Sequence, residues 1–194
     1  MLVEEELSLI SPKRNTALTI GVFDGVHLGH QLLINKVKEK AADKGLESVV
    51  VTFLHHPRLI LGHQSHITFI TSIEERVKLL KNLGVNHIVT LSFTHELARL
   101  NAREYINLMM QYLKMRELVV GPDFALGKGR EGNISSLKAL SEELGFGMEV
   151  VPPLLHQGEV ISSTAVRGAL ARGEIGKINK FLGRRFTFSG QVEH

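Results

Sequence analysis

The sequence predicts an α/β protein built on a doubly wound parallel sheet, and three observations carry that expectation. Apolar, β-rich runs alternate with segments of helical periodicity along the whole chain. Val49-Val-Val-Thr-Phe-Leu54 is β-rich without interruption, as in a strand buried on both faces of a parallel sheet. Ala17-Leu-Thr-Ile20 runs through the glycine-hinged turn Gly21-Val-Phe-Asp-Gly-Val-His-Leu-Gly-His30 straight into a helical pattern at Leu32, Leu33, Lys36 and Val37. Ligands of such a sheet bind outside the carboxyl ends of its strands.

In chain order, residues 1–16 read as a mixed lead-in with an edge strand at 6–10, ended by Ser11-Pro12. Strand 17–23 comes next, then a helix over 28–43 that Lys44-Gly45 closes. Beyond strand 49–54, a polar, histidine-rich loop spans 55–68. Ser72-Ile-Glu-Glu75 fits a capping box and opens a helix that Gly84 stops. A third strand is expected over 87–93 and a helix over 102–115, whose stripe of Tyr105, Leu108, Met109 and Tyr112 reads as core. Strand 118–121 leads into the glycine-rich loop 121–132, and Asn133 or Ser135 caps the helix that ends at Leu144-Gly145. Strand 148–151 is stopped by Pro152-Pro153. A short strand over 159–161 enters Ser162-Ser-Thr164 and a helix to Arg172, and a last helix covers 174–182.

Composition narrows the function. With 194 residues, 43% hydrophobic and 22% charged, the chain has the make-up of an ordinary globular domain with one core. No apolar run approaches the roughly 18 residues of a membrane helix. The acidic opening Met-Leu-Val-Glu-Glu-Glu is unlike a signal peptide. The absence of cysteine excludes disulfides and thiolate metal sites and fits a cytoplasmic protein. A net charge of +3 and a pI of 9.2 are spread thinly, with tight basic clusters only at Lys128-Gly-Arg130 and Arg184-Arg185. Two tyrosines and no tryptophan make a poor platform for nucleic-acid bases. A compact anion is therefore expected as the ligand, rather than nucleic acid or a membrane. Oligomeric state leaves no signal in the sequence.

Two stretches are suited to hold such an anion. The helix opening after Gly21–His30 offers unpaired backbone N–H groups and the positive end of a dipole. His27 and His30, three residues apart, share a face of its first turn. Gly29 between them leaves room for a close approach. Ser162, Ser163 or Thr164 caps a second helix, and Arg167 in its first turn can fork two donors onto phosphate oxygens. Each stretch alone also reads as an ordinary capped helix.

Other patterns carry less. Gly127-Lys-Gly-Arg-Glu-Gly132 has the spacing of a dinucleotide fingerprint but starts well past the strand end at Gly121. Gly121 to Lys128 has one residue too many for a P-loop and no Ser or Thr after the lysine. His55, His56, His63 and His66 lack a carboxylate partner or a helical pair, so no metal site is assigned to them. Their loop has the length of a substrate-binding flap.

The decapeptide Gly21–His30 resembles the His-x-Gly-His phosphate signature of the nucleotidylyltransferase superfamily, and Phe23-Asp-Gly-Val26 narrows the resemblance to the bacterial FAD synthetases, or FMN adenylyltransferases. Ser162-Ser-Thr-x-x-Arg167 resembles the segment that closes over the ATP phosphates in that family, and it stands in the same order. The resemblance runs from Gly21 to Leu182 and implies a Rossmann-like fold and AMP transfer from ATP to FMN, giving FAD and pyrophosphate with magnesium present. It implies catalytic roles for His27, His30 and Arg167, and ATP contacts at Gly21, Phe23, Asp24, Gly25, Gly29, Asp123, Ser162, Ser163 and Thr164. Asp123 is also the residue it offers to magnesium, with no metal ligand assigned outright. Thr52-Phe-Leu-His-His-Pro-Arg58 resembles the flavin side of the pocket, with Phe53, His56 and Pro57 facing the flavin, and Phe124 is implied beside them. Ala125 departs from the arginine common in that loop.

The segment 182–192 resembles the opening of a riboflavin kinase module, which divides the chain into a nucleotidylyltransferase domain over 1–183 and a tail over 184–194. Other readings are a cytidylyltransferase, a pantetheine-phosphate adenylyltransferase, or a flavin- or nucleotide-binding protein without turnover.

Overall fold

Alternate residues of the β-rich runs are buried toward opposite faces, which fixes a three-layer arrangement. The computed structural model describes residues 3–62 and 68–188, and His63, His66 and the tail 189–194 lie outside them. The elements are α1 (Val3–Ser8), β1 (Thr16–Ile20), α2 (Leu28–Asp43), β2 (Glu47–Phe53), α3 (Pro57–Ile60), α4 (Ile73–Asn82), β3 (His87–Leu91), α5 (His95–Arg99), α6 (Ala102–Tyr112), β4 (Met115–Val120), α7 (Ile134–Leu144), β5 (Gly147–Val150), β6 (Leu155–His156), β7 (Glu159–Val160), α8 (Ser163–Ala171) and α9 (Ile175–Leu182). β1 to β5 form one sheet in the order β3-β2-β1-β4-β5, and every pairing in it is parallel. This is the doubly wound α/β architecture expected.

Leu18, Ile20, Val49, Val51 and Leu118 point to one face, where Leu7, Ile106, Met109 and Leu137 of α1, α6 and α7 cover them. Ala17, Val50 and Val119 point to the other, against Ile34, Val37 and Ala41 of α2 and Leu80 of α4. α8 and α9 make a smaller cluster of Val166, Ala169, Ile178, Phe181 and Leu182, joined by Ile70 and Ile161. The chain winds outward from β1 through β2 to β3, then returns to β4 on the other side of β1. The switch point thus lies between the carboxyl ends of β1 and β4. No helix among the described residues is long and apolar enough to cross a membrane.

Several elements differ from the sequence expectation. The edge strand expected at 6–10 is instead α1: Glu4, Glu5 and Glu6 sit in its first turn, where they favour the helix dipole, and Leu7 is fully buried. The Glu6 carboxylate accepts from Ser92 N at 2.7 Å, which anchors this helix at the end of the edge strand β3. The strand expected over 17–23 stops at Ile20, because Phe23 turns the chain at φ 52. The helix expected over 102–115 ends at Tyr112, since Lys114 adopts φ 51 and Met115 already belongs to β4. Its Tyr105 and Met109 are core, as expected. Two short helices, α3 and α5, and strand β6 had no periodicity long enough to read. β6 pairs with β7 through Gln157 (φ 51) and Gly158 (φ 82), a two-residue hairpin turn without its usual Asn-Gly.

The glycines of loop 121–132 are used for packing. Gly127 has φ 78, and a Cβ there would lie 2.7 Å from Ala102 N at the start of α6. Gly129 has φ 63 but nothing within 4 Å. Gly127→Ala should therefore destabilise the protein by about 3 kcal/mol and Gly129→Ala by only about 1 kcal/mol, measured by urea unfolding. Equal losses would show that the packing on Ala102 is unimportant.

Candidate active site

The stretch between β1 and α2 is held in a conformation that most side chains avoid. Phe23, Gly25 and Val26 have φ of 52, 80 and 42. Phe23 is buried, and its ring covers the position where a Cβ on Gly21 would fall, 2.9 Å from Cζ. That ring meets His30 edge-on, with centroids 5.2 Å apart. His27 is the N-cap of α2, and its Nδ1 accepts from His30 N at 3.3 Å. Neutral His27 therefore carries its proton on Nε2, where it is a donor. The two imidazoles stack with centroids 3.5 Å apart and planes 21° apart. His30 Nδ1 is buried without a hydrogen-bond partner.

The second helix start meets the first. Ser162 caps α8, its Oγ accepting from Ala165 N at 3.2 Å. Ser163 Oγ donates to Asp24 O at 2.9 Å, and Arg167 Nη1 donates to Asp24 Oδ2 at 2.8 Å. A Cβ on Gly29 would come within 3.0 Å of Ile161 O, so the two tips are in contact at the one residue that has no side chain. The Asp24 carboxylate is buried and also accepts from Ile70 N at 2.9 Å and Thr71 N at 3.2 Å. Gly25 N donates to Thr71 Oγ1 at 3.1 Å. His27, His30, Gly29, Ser162, Ser163 and Arg167 thus lie together at two abutting helix starts, and Thr164 beside them is exposed.

The remaining predicted residues lie at or just past the carboxyl ends of β2 and β4. Phe53 is buried at the end of β2 and meets Phe93 edge-on at 5.5 Å. His56 lies beside Phe69, with ring centroids 6.2 Å apart, and Pro57 opens α3. Past β4, Asp123 is exposed, and Phe124 packs on the main core. Gly127 and Gly132 of the same loop press on Ala102.

A model of the FAD synthetase family matches residues 9–165. This chain belongs to the FAD synthetase family. It is 34% identical over 185 residues to the bifunctional riboflavin kinase/FMN adenylyltransferase of Escherichia coli K12, covering 95% of this chain and 59% of that protein. Proteins of the same name from Listeria monocytogenes and Bacillus subtilis are each 32% identical, over 93% and 100% of this chain and 57% and 59% of theirs. The chain therefore spans somewhat more than half the length of these relatives. A crystal structure of a macrolide-efflux protein from Streptococcus pneumoniae has the same fold at a TM-score of 0.83 and 27% identity, covering 93% of this chain and 59% of that one.

Three residues of this FAD synthetase-family site escaped the sequence reading. Arg184 donates through Nη2 to Gly25 O at 2.9 Å, although the sequence placed it in the tail. Gln31 Nε2 lies 3.0 Å from both Val26 O and Leu182 O. Arg76 is fully buried, donates to Phe53 O at 3.0 Å, and lies under the Phe69 ring at 5.1 Å. Arg184 stood in a recognised basic pair, while Gln31 and Arg76 lay within expected helices and carried no motif that singled them out.

Burial, with Arg167 and Arg184 close by, lowers the His27 imidazole to about 4. Burial, then His27 and Arg76, holds His30 well below the ordinary imidazole range. Both are neutral donors at neutral pH. Because the folded state disfavours the proton, the unfolded chain binds more protons between pH 4 and 6.5, so stability falls as pH drops through that window. His27 alone should account for about 3 kcal/mol of that loss. His27→Asn keeps an N-cap acceptor. Its urea midpoint should depend less on pH from 6.5 to 4 than that of the wild type, and matching slopes would refute the assignment.

Proposed function

We propose that this chain catalyses AMP transfer from ATP to FMN, giving FAD and pyrophosphate. The observation that supports the reading is the contact between the α2 and α8 tips, which brings Arg167 close to His27 and His30. The triphosphate lies between the tips. An oxygen of the FMN phosphate attacks the α-phosphorus in line as the bond to the bridging oxygen breaks and pyrophosphate leaves. No covalent bond to the protein is needed, so positioning and electrostatics do the catalysis.

In this reading Nε2–H of His27 and the His30 imidazole donate to phosphate oxygens that gain charge, with His30 closest to the α-phosphate. Ser162, Ser163, Thr164 and Arg167 hold the β and γ phosphates. Asp24 serves ATP indirectly, by orienting Arg167. Gly21, Phe23, Gly25 and Gly29 form the adenosine wall. His56, Pro57 and Phe124 line the flavin side, with the buried Phe53 supporting it from beneath. The site of action is the cytoplasm.

Among the described residues no group of three His, Asp or Glu side chains is placed to hold a metal ion. Asp123 offers one exposed carboxylate beyond β4. That set fits magnesium carried mainly by substrate phosphates, with Asp123 as the residue that would hold it. The ion would offset triphosphate charge.

Purified protein given ATP, magnesium and FMN should form FAD, followed by chromatography. His30→Ala should lower kcat by about 10²–10³, the usual loss for one preorganised donor, with an unchanged circular dichroism spectrum. A rate within about threefold of wild type, under about 1 kcal/mol, would falsify the role of His30. Nucleotide transfer to another acceptor alone would assign a different nucleotidylyltransferase, and tight ATP binding without turnover would leave a binding protein.

A further inference from the structure

The carboxyl end of α9 is fastened to the tip of α2 at three points. Gly183 ends α9 at φ 67, and a Cβ there would come within 2.5 Å of Leu28 Cδ2. Gln31 bridges Val26 O and Leu182 O, each at 3.0 Å. Arg184 then folds back, its Nη2 donating to Gly25 O at 2.9 Å and its Nη1 lying 3.5 Å from Val26 O and Leu182 O.

One of the carbonyls it reaches belongs to a residue poorly suited to its backbone. Val26 is β-branched at φ 42, a conformation that persists only when the surroundings impose it. Val26 also directly precedes His27, whose ring caps α2. A change at Val26 is passed at once to the imidazole. A planar guanidinium spans two neighbouring carbonyls, while a lysine ammonium offers one compact donor group. Among the described residues no carboxylate is hydrogen-bonded to Arg184, so its donors serve the turn.

We infer that Arg184 is a positioning residue of the adenylyl-transfer site: it holds the Gly25–Val26 turn in the shape that aims His27 and the α2 tip at the triphosphate. This rests on the function proposed above. The adenylyl-transfer unit accordingly includes Arg184, one residue past the boundary drawn from the sequence at 183.

The test compares Arg184→Met, Arg184→Lys and, as a charge control, Arg185→Ala at the exposed neighbouring position. Arg184→Met should lower kcat for FAD formation by about 10- to 100-fold, as loss of alignment does, with a smaller change in KM for ATP and an unchanged spectrum. Arg184→Lys should recover part of the loss, and Arg185→Ala should match wild type. The inference is overturned if Arg184→Met turns over like wild type, or if Arg185→Ala loses as much. If wild type makes no FAD, the proposed function falls, and Arg184 is judged by calorimetric affinity for ATP with magnesium. A clear weakening in Arg184→Met but not in Arg185→Ala then supports the strut, and equal affinities overturn it.

Discussion

One buried carboxylate sets the geometry of the whole site. Asp24 lies between the two helix tips and takes hydrogen bonds from Ile70 N, Thr71 N and Arg167 Nη1. These donors come from a loop after β2, from the same loop's turn into α4, and from α8 on the far side of the chain. A charge removed from water is tolerated only when its oxygens are saturated in this way. Its burial therefore forces two remote segments, that loop and α8, to converge on the Asp24 turn, and the Ser163 bond to Asp24 O reinforces the convergence. Without that node, the Arg167 guanidinium would have no fixed direction.

Around this node the site gathers positive potential without gathering protonated histidines. Two helix N-termini, Arg167 and Arg184 face or back the same turn, and burial keeps His27 and His30 neutral. Neutral imidazoles are donors of fixed tautomer, and His27 has its Nε2 proton assigned by the bond it accepts from His30 N. The unpartnered His30 Nδ1 is a buried polar atom of the kind usually left for a ligand or water. In the function proposed above, these donors are fixed before the triphosphate arrives, which is what preorganised electrostatic catalysis requires.

Much of this was legible residue by residue. The boundaries of α2 and the Ser72 cap follow from local chemistry and the structure reproduces them, and of the three candidate caps at 162–164 it selects Ser162. Helix α1 was misread because six residues are too few to show a period, and the triple glutamate that favours a helix start was read as part of an irregular lead-in. The end of α6 was missed because Lys114 takes a left-handed turn that glycine usually marks. Arg76 was not singled out, because nothing in a local helix pattern tells that its guanidinium is buried against Phe69.

The sequence by itself determined the alternation of strands and helices, the two helix starts and the residue types that can meet a phosphate. Those depend on neighbours a few positions apart, so short-range chemistry is enough to read them. Only the tertiary structure decided that Asp24 binds Arg167, that Gly29 touches Ile161, and that Arg184 returns to the Gly25–Val26 turn. Each of those joins residues more than a hundred positions apart in the chain, and such pairings follow from sheet order and burial, which no local pattern encodes.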